Sequence, residues 1–393
     1  MAKATLLVLD GFGVGAMEDS PDSGANTCKH VGAQLPALHR MGLTAVTEGK
    51  PSKVAAYGRS ALAHWGADTY MGHQELVGTI PKRPQQRLMK DVHQTIAAAL
   101  TRAGYDVQYP WTGRPILLVE QFILVGDNLE SAYGNIINVT ADLQQISFEK
   151  VRSIGRCVRE SVDVSRVIAF GGPNTSIERI LSVVKENEPG QWGVDTPKSG
   201  VYGEGYEVYH MGYGVNMAGQ FQSIAEKQQL PVFRIGKTAD VLHGGGYANP
   251  VVDTSNVLQT LVEQYEKAHT DAAFLVNVQE TDLAGHAEDV QWYRSVLETV
   301  DQWFESFLAL MKPEDILIIT ADHGNDPTIG HSRHTREYTP ILVIGEQISP
   351  VSIGTRTTMA DIGATLAEYF QLQATESGRS FLGEMKKHSN NMG

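Results

Sequence analysis

The chain has 393 residues, 42% of them hydrophobic, with 39 glycines and a formal net charge of −13. Such length and composition fit a soluble α/β protein with more than one domain and exclude a disordered chain, while the acidic balance excludes nucleic acid and anionic membrane as partners. Only Cys28 and Cys157 are present, without metal-type CxxC spacing, and no apolar run approaches the roughly 20 residues of a membrane span, so a reduced, cytoplasmic protein is expected.

Taken in chain order, ATLLVLDGFG predicts a first core strand over Thr5–Leu9 ending at Asp10, with no signal-peptide pattern before it. ADTYMGHQE follows, and Thr69 reads as the N-cap of a helix over YMGHQELVG. From Pro84 to Asn216 the texture changes. GRPILLVEQFILVGDN, INVTADLQQI, SRVIAFGGP and the glycine- and tyrosine-rich SGVYGEGYEVYHMGYGVN predict an inserted α+β module over 84–216, leaving 1–83 and 217–393 as one discontinuous domain. Strands are then expected at Val232–Ile235 before Gly236 and Lys237, at Ala273–Val278 before Asp282, and at Ile316–Ile319 before Asp322. Between the last two, Asp289 to Met311 places Trp292, Val296, Val300, Trp303, Phe307 and Leu310 at steps of three or four, the stripe of an amphipathic helix. TMADIGATLAEYF predicts a closing helix with Thr358 as N-cap and Ile362, Leu366 and Phe370 on one face. Strands alternating with helices specify an α/β core with a mostly parallel sheet covered on both faces.

Chemistry gathers where these strands end. Asp10, Thr69, Asp282 with His286, and Asp322 with His323 and His334 all follow a strand end or a glycine turn, where open α/β sheets collect ligands. Carboxylates with imidazoles suit Mn2+, Zn2+ or Fe2+, and a pair of such ions can clamp a phosphoryl group from both sides. Thr69 is a poor nucleophile in water, and coordination to a metal lowers the cost of forming its alkoxide. Taken alone, the Asp322–His334 stretch is equally well read as a polar loop capping a strand. His73 reads either as a residue positioning the Thr69 loop or as a packed, hydrogen-bonded histidine.

These segments resemble the alkaline phosphatase superfamily of metalloenzymes, and within it the phosphopentomutases, with cofactor-independent phosphoglycerate mutase a more distant likeness. ADTYMGHQE, INVTADLQQI, FRIGKTADVLHGGG, TADHGNDPT, HTREYTPILV, MADIGATLAEYF and GRSFL occur in the phosphopentomutase order over nearly the whole chain, and TADHGNDPT followed by HTRE is a highly specific pair. The resemblance implies an alkaline-phosphatase-like core with an inserted cap. It also implies one Mn2+ held by Asp10, Thr69, Asp322 and His323, and another held by Asp282, His286 and His334, with Zn2+ the alternative metal. His334 is preferred to His331 because it matches HTRE. Thr69 would be the phosphorylated residue of a mutase that moves a phosphoryl group between positions of a small phosphorylated sugar, primed by a sugar bisphosphate. Thr140 and Asp142 would meet sugar hydroxyls and Lys237 would reach the substrate. Nothing in the sequence demands an oligomer, and a monomer is compatible with it.

Two departures stand out. The spacing from Asp282 to His286 is that of the phosphoglycerate mutase branch, and Phe170 occupies the place where phosphopentomutases carry an arginine for the distal phosphate, with Arg179 the candidate substitute. A metal-dependent phosphatase or phosphodiesterase, a mutase acting on another phosphorylated metabolite, and a noncatalytic metal-binding protein are the alternatives.

Overall fold

The computed structural model describes residues 1–131 and 133–387. It divides into two compact units, Met1–Pro81 together with the chain from Asn216 onward, and Lys82–Val215. The junctions therefore fall at 81/82 and 215/216 rather than at 83/84 and 216/217.

The first unit is built on an eight-stranded sheet in the order Tyr247–Asn249, Val232–Ile235, Ala272–Val278, Lys3–Leu9, Ile316–Thr320, Thr339–Ile344, Ala56–Ser60, Ser352–Arg356. The first five run parallel; Thr339–Ile344 is antiparallel to both of its neighbours. Lys3–Leu9 and Ala272–Val278 are buried at every position, and that is why they read as continuous apolar runs rather than alternating ones. Each expected core strand is present: Thr5–Leu9 begins two residues earlier at Lys3, Ala273–Val278 one earlier at Ala272, and Ile316–Ile319 runs one further to Thr320.

Val290–Leu310 forms the long helix, capped by Asp289, whose carboxylate accepts the amides of Gln291 and Trp292. Its buried face is wider than the expected stripe. Tyr293, Leu297 and Phe304 join Val296, Val300 and Phe307 in the core, while Trp292 and Trp303 are only partly buried. At roughly 1.5–3 kcal/mol for each large apolar side chain removed from water, this face is a major tie between helix and sheet. Asp301 lies on the same face and is 2% exposed; it is stabilised there by accepting the amides of Ala37 and Leu38. The closing helix spans Ala360–Tyr369 and begins after Met359, so Thr358 is not its N-cap. The Thr358 hydroxyl instead accepts from Ala360 N and donates to Glu75.

The second unit carries a six-stranded sheet, Glu207–Gly212, Arg166–Gly172, Ile136–Asp142, Ile123–Asp127, Leu117–Val119, Val107–Gln108, in which only the Ile136–Asp142 and Arg166–Gly172 pair is parallel. Helix Phe148–Ser161 packs on Arg166–Gly172, with Gly155 close against Ala169 and Met211. Phe170 lies in an apolar cluster with Ile116, Leu124, Ile180, Val194 and Val201. No helix among the described residues is long and apolar enough to cross a membrane.

Candidate metal centre

Strand ends deliver the site. Asp10 directly follows Lys3–Leu9; its amide donates to Val278 O and its carbonyl accepts the Thr281 hydroxyl, which locks two neighbouring strand ends together. Asp282 and His286 occupy the helix Glu280–His286 that follows Ala272–Val278, and Asp322 and His323 follow Ile316–Thr320. Thr69 opens the helix Thr69–Leu76. The N-cap is Asp68, whose Oδ1 accepts Met71 N at 2.9 Å, so the capping role read for Thr69 belongs to its neighbour. Of the two residues able to cap, Asp68 has the extended backbone that capping needs. The helix comes close to Asp322 because residue 72 is glycine. A Cβ there would lie 2.6 Å from the Asp322 carbonyl oxygen and 3.0 Å from its Cβ.

The structure brings together every side chain read as a metal ligand. Oxygen and nitrogen atoms of Asp10, Asp322 and His323 all lie within 4.8 Å of one another, as do those of Asp282, His323 and His334. His323 belongs to both groups and joins them. Its Nε2 is 2.7 Å from the Thr69 hydroxyl, 3.2 Å from Asp322 Oδ2 and 3.6 Å from Asp10 Oδ1. His286 Nε2 is 3.2 Å from Asp282 Oδ2 and 2.9 Å from His334 Nε2, and His334 Nε2 is 3.2 Å from Asp282 Oδ1. His331 is turned elsewhere and pairs with Asp22.

All three site histidines are oriented in the same way. Their Nδ1 atoms meet backbone carbonyls, His323 at Gly324, His334 at Ala67 and His286 at Ser332, which leaves each Nε2 facing the carboxylates. That is the arrangement a metal needs. Asp10 Oδ1 and Asp322 Oδ2 are buried without a hydrogen-bond partner, and the ion pairs of Asp10, Asp282 and Asp322 among the described residues are with histidines only. Buried carboxylates with no lysine or arginine beside them call for another positive charge.

The protonation pattern expresses the same deficit. Burial, reinforced by Asp322 and Asp282, pushes the Asp10 carboxyl well above the usual range. For Asp322 burial acts in the same direction, yet His323 and His73 outweigh it and hold the group well below its ordinary value. Asp282 is likewise lowered, the opposing effect of burial being overcome by His286 and His334. His323 is raised to about 10, because Asp322, Asp282 and Asp10 together outweigh its own burial. Residues of this type fit divalent cations, which would replace protons as the charge that holds the carboxylates.

Residues around the centre that sequence reading passed over hold it in place. Asn325 donates to Asp282 Oδ1 at 2.7 Å, and Asn277 donates to Asp10 Oδ2 at 2.9 Å. Glu337 accepts from Gly15 N, Thr27 N and the hydroxyls of Thr27 and Thr335. Arg336 donates to the carbonyls of Leu62, His64 and Gly66, clamping the loop that leads to Thr69. The signal for Asn277 was a single amide inside the apolar run FLVNV; Asn325, Arg336 and Glu337 lay inside the quoted motifs without a role.

Of the substrate residues implied by resemblance, Lys237 belongs to the first unit and pairs with Asp240 at 3.6 Å. The others lie in the second unit. Thr140 is 1% exposed with its hydroxyl unpartnered, and Asp142 is 2% exposed, its two oxygens accepting from Gln144 N and Ile177 N. Asp142 thus secures the start of the helix Ile177–Ser182, which carries the exposed Arg179 over Gly200. Phe170 is paired in register with Thr140 and is 3% exposed.

A model of the metalloenzyme superfamily matches residues 2–374. The chain is 30% identical over 412 residues to a phosphopentomutase of Symbiobacterium thermophilum, with 98% of this chain and 99% of that one covered. A phosphopentomutase of Desulfitobacterium hafniense is 30% identical over 413 residues, covering 98% and 100%. One of Vibrio cholerae is 29% identical over 431 residues, covering 97% and 100%.

Proposed function

The chain belongs to the metalloenzyme superfamily and, within it, to the phosphopentomutase family of isomerase-type phosphosugar mutases, and from that premise we propose how its own residues carry the reaction. Asp10, Thr69, Asp322 and His323 hold one divalent cation and Asp282, His286 and His334 the other, with Mn2+ the first choice and Zn2+ the second. When bound, such cations supply positive charge to phosphoryl oxygens and lower the proton affinity of a coordinated hydroxyl. The observation that carries this reading is the shared orientation of His286, His323 and His334, each anchored through Nδ1 and presenting Nε2 toward buried carboxylates beside the Thr69 hydroxyl.

Thr69 is the residue that carries the phosphoryl group. In its phosphorylated form it donates that group to the free hydroxyl of a sugar monophosphate: the Thr69 Oγ–P bond breaks, a new sugar O–P bond forms, and the sugar hydroxyl proton passes to the threonine oxygen. The resulting bisphosphate then returns its other phosphoryl group to Thr69, so that the net change is isomerisation. Asp68 holds the first turn of the helix through Met71 N, and Arg336 fixes the preceding loop, so the hydroxyl stays in place through both transfers. Lys237 and Arg179 are the cations proposed to meet substrate phosphate, with Thr140 offering a hydroxyl and Asp142 holding the helix that carries Arg179. The two free cysteines and the chemistry fit a cytoplasmic enzyme.

The distal part of the substrate is a separate matter. Phe170 is buried among Ile180, Val194 and Val201, so a phenyl ring stands where the family resemblance led us to expect a guanidinium. This favours a small phosphorylated sugar other than ribose 5-phosphate, its distal phosphate met by Arg179 rather than by a side chain at position 170. Phosphorus NMR of the Mn2+-loaded protein with ribose 1-phosphate, ribose 5-phosphate and other sugar phosphates, primed by a bisphosphate, tests both points. Interconversion of monophosphates is expected; release of inorganic phosphate alone would replace the mutase with a phosphatase.

A further inference from the structure

Asn277 is the one polar residue in the wholly buried strand Ala272–Val278, and it is 0% exposed. A primary amide in such a place costs free energy unless its hydrogens are bonded, and the geometry shows where they go. Asn277 Nδ2 is 2.9 Å from Asp10 Oδ2 and 3.1 Å from His73 Nε2. Against an ionised Asp10, as a bound cation would keep it, the opposite amide orientation would set oxygen against carboxylate, so the nitrogen faces it. One of its hydrogens meets Asp10 and the other meets the His73 ring.

That arrangement determines where His73 carries its proton. Nε2 faces an N–H donor and can only accept, while Nδ1 lies 2.8 Å from the Thr69 carbonyl oxygen and 3.3 Å from Asp322 Oδ2, both acceptors. The proton is therefore on Nδ1. His73 is 1% exposed, and both of its ring nitrogens are engaged.

We propose that Asn277 is a positioning residue that sets the tautomer of His73, and that the pair ties the carboxylate of Asp10 to the backbone of Thr69, with the His73 ring packed beside Asp322. The proposal rests on the reading of Asp10, Asp322 and Thr69 given above. Asp10 comes from a strand end and Thr69 from a helix start, and the Asn277–His73 bridge is the neutral connection that joins them, its ring lying 3.3 Å from Asp322 Oδ2. Because it adds no charge, it orients the Asp10 carboxylate without competing with a cation for it. The His73 ring is committed to holding the helix start beside the site.

The test reads the tautomer directly. Protein labelled with 15N-histidine is observed by long-range 15N–1H NMR, both metal-free and loaded with diamagnetic Zn2+, and the His73 signals are identified by their loss in His73→Gln. Expected in the unaltered protein is a pyrrole-like Nδ1 and a pyridine-like Nε2. Asn277→Asp keeps the shape but turns the donor into an acceptor, so His73 should gain a proton on Nε2. Calorimetric titration of the same variant with Mn2+ should show the affinity for one of two ions falling by about tenfold or more, with the other little changed. A proton on Nε2 in the unaltered protein overturns the proposal, as does an unchanged His73 pattern or unchanged metal affinity in Asn277→Asp. If that variant does not fold, the tautomer in the unaltered protein decides. Neither readout involves a sugar phosphate, so failure of the mutase reading would leave both standing.

Discussion

The hydroxyl of Thr69 and Nε2 of His323 lie 2.7 Å apart although 254 positions separate them in the chain. Their meeting links the helix Thr69–Leu76 to the end of the central strand Ile316–Thr320. Thr69→Ala should therefore lose phosphoryl transfer by at least about a thousandfold. Intact-mass measurement after incubation with substrate should find no phosphorylated protein, while the melting temperature stays near its original value. Full turnover by Thr69→Ala would remove the threonine from the chemistry.

Gly72 allows the same helix to lie against Asp322. Gly72→Ala places a methyl group 2.6 Å from a backbone oxygen that belongs to a strand end and cannot swing away. We expect a loss of roughly 1–3 kcal/mol in denaturant unfolding, together with slower turnover, because relieving the contact moves Thr69 relative to His323. Unaltered stability and activity would show that the helix has slack here.

Glu75 sets an acid limit on the first unit. It is 0% exposed and accepts from the amides of Ala63, His64 and Met359, the His64 ring and the Thr358 hydroxyl. Burial alone would raise its carboxyl, but His64, Thr358 and the Ala63 amide outweigh that and lower it below its ordinary value of 4.5. A group lowered on folding adds stability that is fully present above the unfolded value and is lost as the pH falls through the folded one. Stability measured by urea titration should accordingly decline below about pH 4.5, and Glu75→Gln should be less stable at neutral pH with a flatter decline.

Metal removal should destabilise the protein. With Asp10, Asp282 and Asp322 drawn together and only histidines beside them, divalent cations relieve repulsion in the folded state and not in the unfolded chain. At a free Mn2+ concentration one hundred times the dissociation constant, about 2.7 kcal/mol of stabilisation is expected. Thermal unfolding with EDTA and then with added Mn2+ reads it. A melting temperature indifferent to both would deny the site its cations, and Asp282→Asn should leave only one ion bound tightly by metal analysis.

Much of this was legible before any coordinates. Buried parallel strands advertise themselves as unbroken apolar runs, and the residues just past them, Asp10, Asp282 and Asp322, are where ligands gather on such a sheet. What could not be read was the set of partners that lie far off in the chain. Nothing local in the sequence marks Asp301 as the acceptor of the Ala37 and Leu38 amides, or Asn277 as the partner of Asp10 and His73. Adjacent Asp68 and Thr69 can both cap a helix, and only backbone geometry decides between them. The long helix has a broader buried face than a narrow stripe because the sheet and neighbouring helices enclose it on more than one side.

The placement of Lys3–Leu9 between Ala272–Val278 and Ile316–Thr320 bears on how the protein comes to exist at all. A ribosome releases the opening strand before either flank has been synthesised, so at about 5–20 residues per second the nascent segment waits on the order of ten seconds to a minute for its neighbours. Lys82–Val215 is continuous in the chain and need not wait. Birth order therefore places the inserted unit first and the catalytic half last, leaving a sticky apolar β-segment exposed to aggregation meanwhile.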